Sequence, residues 1–361
     1  LLDRVIRKAY VSLSTEPWHG TRRPLLPVPA EQIQDFDLVH LHTVADWFNI
    51  PSWLETLPSE IGVVVTLHDM WHFTGGCFLY RGCDRFTESC APCPILKTPL
   101  NRVLAKDEQR RKLQTYRSRR VQFVANSQWL ANLADRSPIV RTCGRARVIP
   151  PGIDTGVFKP QDKTQCRAEL GIPRDAFVIA AGAASLTDSN KNIRWLLEQL
   201  AGLSELENVL VVLAGEGNLE IPVSLKVQLT GGVADRVKRA MLFNAADVFV
   251  SPSLMETYGL TLIEAMSCGI PVVAFRTGGI PEAVPDEGGI LCDVLDANAF
   301  KTAIQKLRHN EKLRNELGNA GSKLVADRNA KGRFAAAFGR VYDACLYTKQ
   351  TRLIEQSALM P

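Results

Sequence analysis

Short apolar bursts, each ending in polar or glycine residues and each followed by a stretch of helical spacing, recur along this chain and constrain its fold more than any other feature. In the first half the bursts are Asp37–His42, Gly62–His68 and Val121–Asn126. Runs of this length, bounded by turn formers, suit strands of a parallel sheet covered on both faces. Helices are predicted between them. The clearest spans Lys106 to Arg120, and another follows Asn126-Ser127, a pair well suited to an N-cap. The stretch up to Pro29 ends in Arg-Pro-Leu-Leu-Pro-Val-Pro, which excludes the interior of a regular element.

Pro150-Pro-Gly-Ile-Asp154 through Lys159-Pro160 reads as a linker. Beyond it the alternation restarts. Strands are predicted over Ala176–Gly182, Asn208–Gly215, Asp247–Ser253 and Ile270–Phe275, with helices over Asn192–Leu203, Val233–Asn244 and Leu260–Cys268. After Asn298 the chain turns helical to about Lys349. Repeated strand–helix–strand units imply parallel sheets with right-handed crossovers. The expectation is an α/β chain of two doubly wound, Rossmann-like parallel-sheet domains at 1–155 and 156–335, then a helix and tail at 336–361. The 361 residues agree with two domains at about 150 residues each.

Composition excludes several classes. With 46% hydrophobic residues there is apolar mass for two cores, so general disorder is excluded. Lysine plus arginine is 43 against 38 acidic residues, a net charge of +5, which is a mild excess; a nucleic-acid binder usually carries a stronger and more clustered one. No run approaches the ~18 apolar residues of a membrane helix. The opening LLDRVIRKAY has no signal-peptide core, and nine cysteines is an odd count. Together these point to a reduced, cytoplasmic protein.

Ligands of open parallel sheets bind beyond the carboxyl ends of the strands. In the second half those positions hold Gly182–Lys191, Gly215-Glu-Gly217, Leu254–Gly259 and Arg276–Gly279, all containing glycine, which lets a ligand approach the backbone. Glu256 stands just before a predicted helix, and Glu264 lies about two turns further on. The amides of Thr257, Tyr258, Gly259 and Leu260 would point out of the helix start, an anion site fit for a diphosphate. Lys191 could add a full charge from the neighbouring loop, without a metal. Glutamates eight apart are also common on solvated helices. Here Glu264 is flanked by Leu262, Ile263, Ala265 and Met266, and a carboxylate in such company needs a partner, for which a ribose diol is one candidate.

The run Ser251-Pro-Ser-Leu-Met-Glu-Thr-Tyr-Gly-Leu-Thr-Leu-Ile-Glu-Ala-Met-Ser-Cys-Gly-Ile-Pro-Val-Val-Ala274 resembles the signature of glycosyltransferase family 4. Val148–Pro160 resembles that family's interdomain linker, and Thr66-Leu-His-Asp-Met-Trp-His-Phe-Thr-Gly-Gly-Cys77 a subgroup that builds bacterial exopolysaccharides. The resemblance runs from about Asp37 to about Tyr342. It implies the GT-B fold, two facing Rossmann-like domains with the active site in the cleft between them. It also implies transfer of a sugar from a UDP- or GDP-sugar to a glycan or lipid-linked acceptor, with retention, by front-face internal return and without a catalytic metal. By the resemblance Glu256 sits beside the donor sugar, Glu264 holds the ribose, and Lys191 binds phosphate. The amides of Thr257 to Leu260 cradle the diphosphate with Gly215 and Gly217 nearby, and His68 faces the donor sugar from the first domain. Two departures stand out. The family's arginine near Gly182-Ala-Ala-Ser185 is absent, and no strand with a glycine-rich loop precedes Asp37, so the first domain reads as incomplete at its start.

Other groups remain. Cys77, Cys83, Cys90 and Cys93 fall within seventeen residues and end in Cys-Ala-Pro-Cys, a spacing that suits a structural zinc, free thiols or disulfides. His68 and His72 are four apart, and His40 and His42 alternate at a strand end, where one is expected to line the cleft. Lys97 to Arg120 is basic, including Arg110-Arg-Lys112, Arg117, Arg119 and Arg120. It reads either as a solvated helix face or as a contact to anionic membrane or a lipid-diphosphate acceptor, which would place the protein peripherally at the inner membrane. No base-stacking aromatics accompany it, so nucleic acid is not expected. Two rival readings of the whole are a nucleotide-sugar epimerase of the same fold and a non-catalytic nucleotide-sugar-binding subunit.

Overall fold

The computed structural model describes residues 20, 29–33, 35–42, 49–97, 101–203 and 206–358, without the side chains of 30, 101, 102 and 347–358. The expectation about the start of the first domain falls largely outside these residues. The chain divides into two compact units, Leu1–Ile149 with Ala336–Pro361, and Pro150–Ala335. Residues from 336 on therefore belong with the first unit. The contacts explain this: the Tyr342 hydroxyl meets His40 Nδ1 at 2.8 Å, and the Phe338 ring packs 5.0 Å from the His40 ring.

In the first unit β1 (Leu38–Leu41), β2 (Gly62–Leu67), β3 (Val121–Ala125) and β4 (Arg147–Val148) form a parallel sheet in that order. Every residue of β2 is buried, as its unbroken Gly-Val-Val-Val-Thr-Leu run requires of a strand covered on both faces. The helices α1 (Ile50–Thr56), α2 (Asn101–Arg117), α3 (Gln128–Ala134) and α4 (Pro138–Arg141) connect and cover it. Ser127 caps α3 by accepting from the Leu130 amide at 3.1 Å, as its position predicts. Helix α2 starts and stops earlier than the spacing suggests. Its predicted tail is spent otherwise: Arg119 donates to the carbonyls of Leu57 and Pro58, and Arg120 to that of Glu60.

In the second unit the strands are β5 (Phe177–Ser185), β6 (Val209–Glu216), β7 (Val227–Leu229), β8 (Val248–Ser251), β9 (Val272–Phe275) and β10 (Gly289–Cys292). They pair in parallel in the order β10-β9-β8-β5-β6-β7. Alternate residues serve opposite faces. Val178, Ala180, Phe249, Val272 and Ala274 join one core, while Ile179, Ala181, Val248, Val250, Val273 and Phe275 join the other. The first face is covered by α5 (Lys163–Leu170), α7 (Arg236–Ala245) and α8 (Leu260–Ser267), the second by α6 (Ile193–Ala201) and α10 (Ala297–His309). The short α9 (Ile280–Ala283) follows β9, and α11 (Glu311–Arg328) and α12 (Lys331–Ala358) follow α10. Asp247 ties α5 to the sheet, accepting from Arg167, Lys163 and the Val178 amide.

Candidate functional site

Strand order decides where a ligand can enter the second unit. β5 lies between β8 and β6, so chain leaving β5 runs one way across the sheet and chain leaving β8 runs the other. Loops diverging from adjacent strand ends open a crevice. A cleft of about 490 Å³ lies there. It is lined by Gly182 and Ala184 at the end of β5, Gly215 and Glu216 at the end of β6, and Arg239 and Thr261 from the two following helices. Val212, Leu242 and Phe249 give it an apolar wall. Gly217 follows directly, beside Thr187.

Lys191 and Glu256 come from loops 65 residues apart and meet as an ion pair, Lys191 Nζ donating to Glu256 Oε1. Asn190 brings them together. Its side chain donates to the Met255 carbonyl at 2.8 Å, and its own carbonyl accepts from the Leu254 amide at 2.8 Å. Glu256 is held from the other side by the Gly279 amide, which donates to its carbonyl at 2.9 Å. Gly278 has φ +56°, and a Cβ there would lie 2.0 Å from the Glu256 carbonyl oxygen. Gly278→Ala combines a left-handed residue with a backbone clash, so it should cost at least about 1–2 kcal/mol of stability, read as a fall in the urea midpoint.

Helix α8 starts at Gly259, which takes φ +99° and provides no side-chain cap. The amides of Leu262 and Ile263 turn back to the Gly259 carbonyl. Those of Leu260 and Thr261 have no partner within the helix and form its open end. Leu260 is the last of the Thr257–Leu260 amides expected from the sequence, and Thr261 adds one residue to that set. Thr257 has a partner within the fold, and Tyr258 is buried with its hydroxyl accepting from Asn329 at 3.0 Å.

Just over one turn into α8, Glu264 is buried and accepts from Arg239 at 2.9 Å. Burial pushes the Glu264 carboxyl above the usual range, and the Arg239 guanidinium opposes that rise. Arg239 also lies 5.5 Å from the Phe158 ring centroid, and its buried Nε has no acceptor among the described residues. A buried donor without a partner on a cleft wall is a place for a ligand oxygen. Sequence spacing picked out neither Arg239 nor Asn190. Both are joined to the site only through tertiary contacts.

In the first unit His68 follows β2, and its Nε2 lies 2.9 Å from His42 Nδ1. His40 bridges Thr66 Oγ1 at 2.7 Å and Tyr342. Burial, then the neighbouring His42 and His68 rings, lower His40 to about 4. His72 is fully enclosed against the Tyr116 hydroxyl and lowered to about 3 by burial. A histidine lowered on folding stabilises the fold above its unfolded value near 6.5, and that contribution is lost as the pH falls through the folded value. His40 is only part buried, so after allowance for solvent screening the gap is worth on the order of 1–2 kcal/mol. Urea midpoints should fall between pH 6.5 and 4.5, and His40→Gln should flatten that slope; an unchanged slope would remove the assignment.

Lys112, grouped by sequence with the basic surface of α2, is instead buried. Its ammonium donates to the carbonyls of Trp71 and Thr74 and lies 3.7 Å from the Trp71 ring centroid. Burial lowers it to about 8. Among the described side chains of α2, the exposed cations are Lys106, Arg110 and Arg117. Among the described residues no helix is long and apolar enough to cross a membrane. All nine cysteines are free thiols. Cys77 hydrogen-bonds to Cys93, but among the described residues no three His, Cys, Asp or Glu side chains are gathered closely enough to hold a metal as they stand.

Comparison with known proteins gives this geometry a family. Residues 2–157 match the family described as Glycosyltransferase Family 4, and residues 177–310 match Glycosyl transferases group 1. A D-inositol 3-phosphate glycosyltransferase of Nocardioides sp. is 34% identical over 213 residues, 52% of this chain and 45% of that protein. One from Mycobacteroides abscessus is 36% identical over 155 residues, 40% of this chain and 34% of that protein. The chain spans about half the length of the curated relatives it matches, or less. Among solved structures, sucrose-phosphate synthase from Thermosynechococcus elongatus aligns with a TM-score of 0.63 at 20% identity, covering 91% of this chain and 83% of that one. Anabaena Alr3699/HepE, solved with UDP-glucose, aligns with a TM-score of 0.62 at 17% identity, covering 87% and 80%. At these identities the likeness is one of fold, the GT-B class of two parallel-sheet α/β domains. The chain belongs to the group 1 and family 4 glycosyltransferases.

Proposed function

We propose that the chain is a retaining glycosyltransferase that moves a hexose from a UDP- or GDP-sugar to a glycan or lipid-linked acceptor in polysaccharide assembly. The observation that carries this is the Lys191–Glu256 pair at the switch point of the second sheet, with the open turn of α8 and the Arg239–Glu264 pair on the same group of strand ends. In this reading the donor ribose reaches Glu264, and the diphosphate takes Lys191 and the amides of Leu260 and Thr261. The apolar cleft wall takes the base.

When the bond from the sugar's anomeric carbon to the phosphate oxygen breaks, positive charge grows on the ring and negative charge on the diphosphate. Lysine and helix amides stabilise the leaving group, and Glu256 stabilises the ring. The acceptor hydroxyl attacks from the departing face and gives its proton to the leaving phosphate oxygen, which retains the anomeric configuration. No metal is needed to neutralise the diphosphate. His68 is assigned to the donor sugar. The exposed cations of α2 are assigned to an anionic surface or a lipid diphosphate, with peripheral association at the cytoplasmic face.

UDP- and GDP-hexoses offered with glycan and lipid-linked acceptors test this. The expected result is transfer with a retained anomeric centre, read by NMR of the product. Epimerised or hydrolysed donor without acceptor, or binding with no turnover of any donor, would overturn it.

A further inference from the structure

The open turn of α8 begins on a glycine, and no side chain caps it. A glycine at φ +99° without a cap leaves the direction of the Leu260 and Thr261 amides to the residue before it. That residue is Tyr258. Its ring is buried in the same core as Ile153, Leu262 and Ile263, and its hydroxyl accepts from the Asn329 side chain at 3.0 Å.

Asn329 is buried at the end of α11. Its side-chain nitrogen also donates to the Pro151 carbonyl at 2.8 Å, so both hydrogens of that amide are used. The backbone is fixed as well. The Asn329 N–H donates to the Val325 carbonyl at 2.8 Å, and the Asn329 carbonyl accepts from the Ile153 amide at 2.8 Å. Gly152 lies so near Phe334 that a Cβ there would stand 2.6 Å from the Phe334 Cβ. Three segments far apart in sequence thus meet on one carboxamide: 151–153, the start of α8 and the end of α11. The other end of α8 is tied separately. Ser267 Oγ donates to the Phe158 carbonyl at 2.6 Å, and Ser322 Oγ to the Ser267 carbonyl at 3.1 Å.

We infer that Asn329 is a positioning residue for the donor diphosphate, which presumes the diphosphate at the start of α8 as proposed above. Through the Tyr258 hydroxyl it sets the direction of the Leu260 and Thr261 amides, without touching the nucleotide itself. Amides aimed in advance need no reorientation when the negative charge arrives. Amides free to swing lose part of that attraction, whereas ribose and base, held elsewhere in the cleft, do not feel the change.

Calorimetric titration of the full chain with UDP and GDP, each against its nucleoside, tests this. Asn329→Leu removes both donors, and Tyr258→Phe removes only the acceptor. Diphosphate affinity should fall by about tenfold in the first and several-fold in the second, with nucleoside affinity level. The double variant should bind no worse than Asn329→Leu, because both residues act through one hydrogen bond. Ser322→Ala loosens the opposite end of the helix. It should lower the melting temperature and leave the ratio of nucleotide to nucleoside affinity unchanged. Tyr258→Phe decides the matter even if Asn329→Leu fails to fold. Equal losses of nucleotide and nucleoside in Tyr258→Phe would reduce Asn329 to a structural residue and overturn the inference. So would wild-type binding by Tyr258→Phe when Lys191→Ala binds UDP or GDP poorly, an outcome that leaves the diphosphate site standing. Wild-type binding by Lys191→Ala as well would remove the diphosphate from this turn and overturn both.

Discussion

Glu256→Gln should lower turnover by about a hundredfold or more while tightening the binding of UDP or GDP. The two effects have opposite signs for one reason. Without donor, Lys191 is paired with Glu256, and both side chains are largely sheltered, at 31% and 19% exposure. An incoming diphosphate competes with that carboxylate for the ammonium. Removing the negative charge frees Lys191 and ends the repulsion between Glu256 and the phosphates. After allowance for solvent around the lysine, this is worth on the order of 1 kcal/mol, a several-fold fall in Kd. Turnover falls because the carboxylate that stabilises the cationic ring has gone. A misfolded variant would lose both binding and turnover, so the divergence itself is diagnostic. Lys191→Ala is the counterpart: diphosphate affinity should drop by about 1–3 kcal/mol while nucleoside affinity stays level. Equal losses for nucleoside and nucleotide would argue against a phosphate contact.

Arg239→Met should leave Glu264 as a buried carboxylate without its cation. Breaking a fully buried pair costs about 3–5 kcal/mol. The Arg239 side chain is 30% exposed, so about 2 kcal/mol is the fairer expectation. The Glu264 carboxyl, already raised by burial, should rise further. A carboxyl raised on folding stabilises the fold below its unfolded value, and that contribution is lost as the pH climbs through the folded value. The variant should therefore lose most stability near neutral pH and little in acid. Ribose hydroxyls donate to the ionised carboxylate, so nucleotide affinity should run the other way. In the wild type it should weaken as the pH drops through the raised Glu264 value, and in Arg239→Met that midpoint should move to higher pH. A variant with wild-type stability and an unshifted binding midpoint would show that Arg239 does not hold Glu264.

The central strands were legible because they are buried on both faces and read as unbroken apolar runs, as in Val63-Val64-Val65 and Val272-Val273. The short strands Arg147–Val148 and Val227–Leu229 carry too few residues for any period to register. Glu256, Lys191 and Glu264 stood out because they follow strand ends or interrupt an apolar helix. Asn190 and Arg239 did not. An asparagine in a turn and an arginine on a helix are ordinary in sequence, and their roles arise only when distant segments fold together. Lys112 misled for a related reason. Beside Arg110 and Arg111 it reads as surface charge, but the helix turns it inward beneath the carbonyls of Trp71 and Thr74.

A co-crystal structure with UDP or GDP tests the central claim most directly. The account predicts the diphosphate at the start of α8, within hydrogen-bond reach of the Leu260 and Thr261 amides, with Lys191 turned from Glu256 onto a phosphate oxygen and the ribose on Glu264. A nucleotide bound elsewhere, with the Lys191–Glu256 pair still intact, would contradict it.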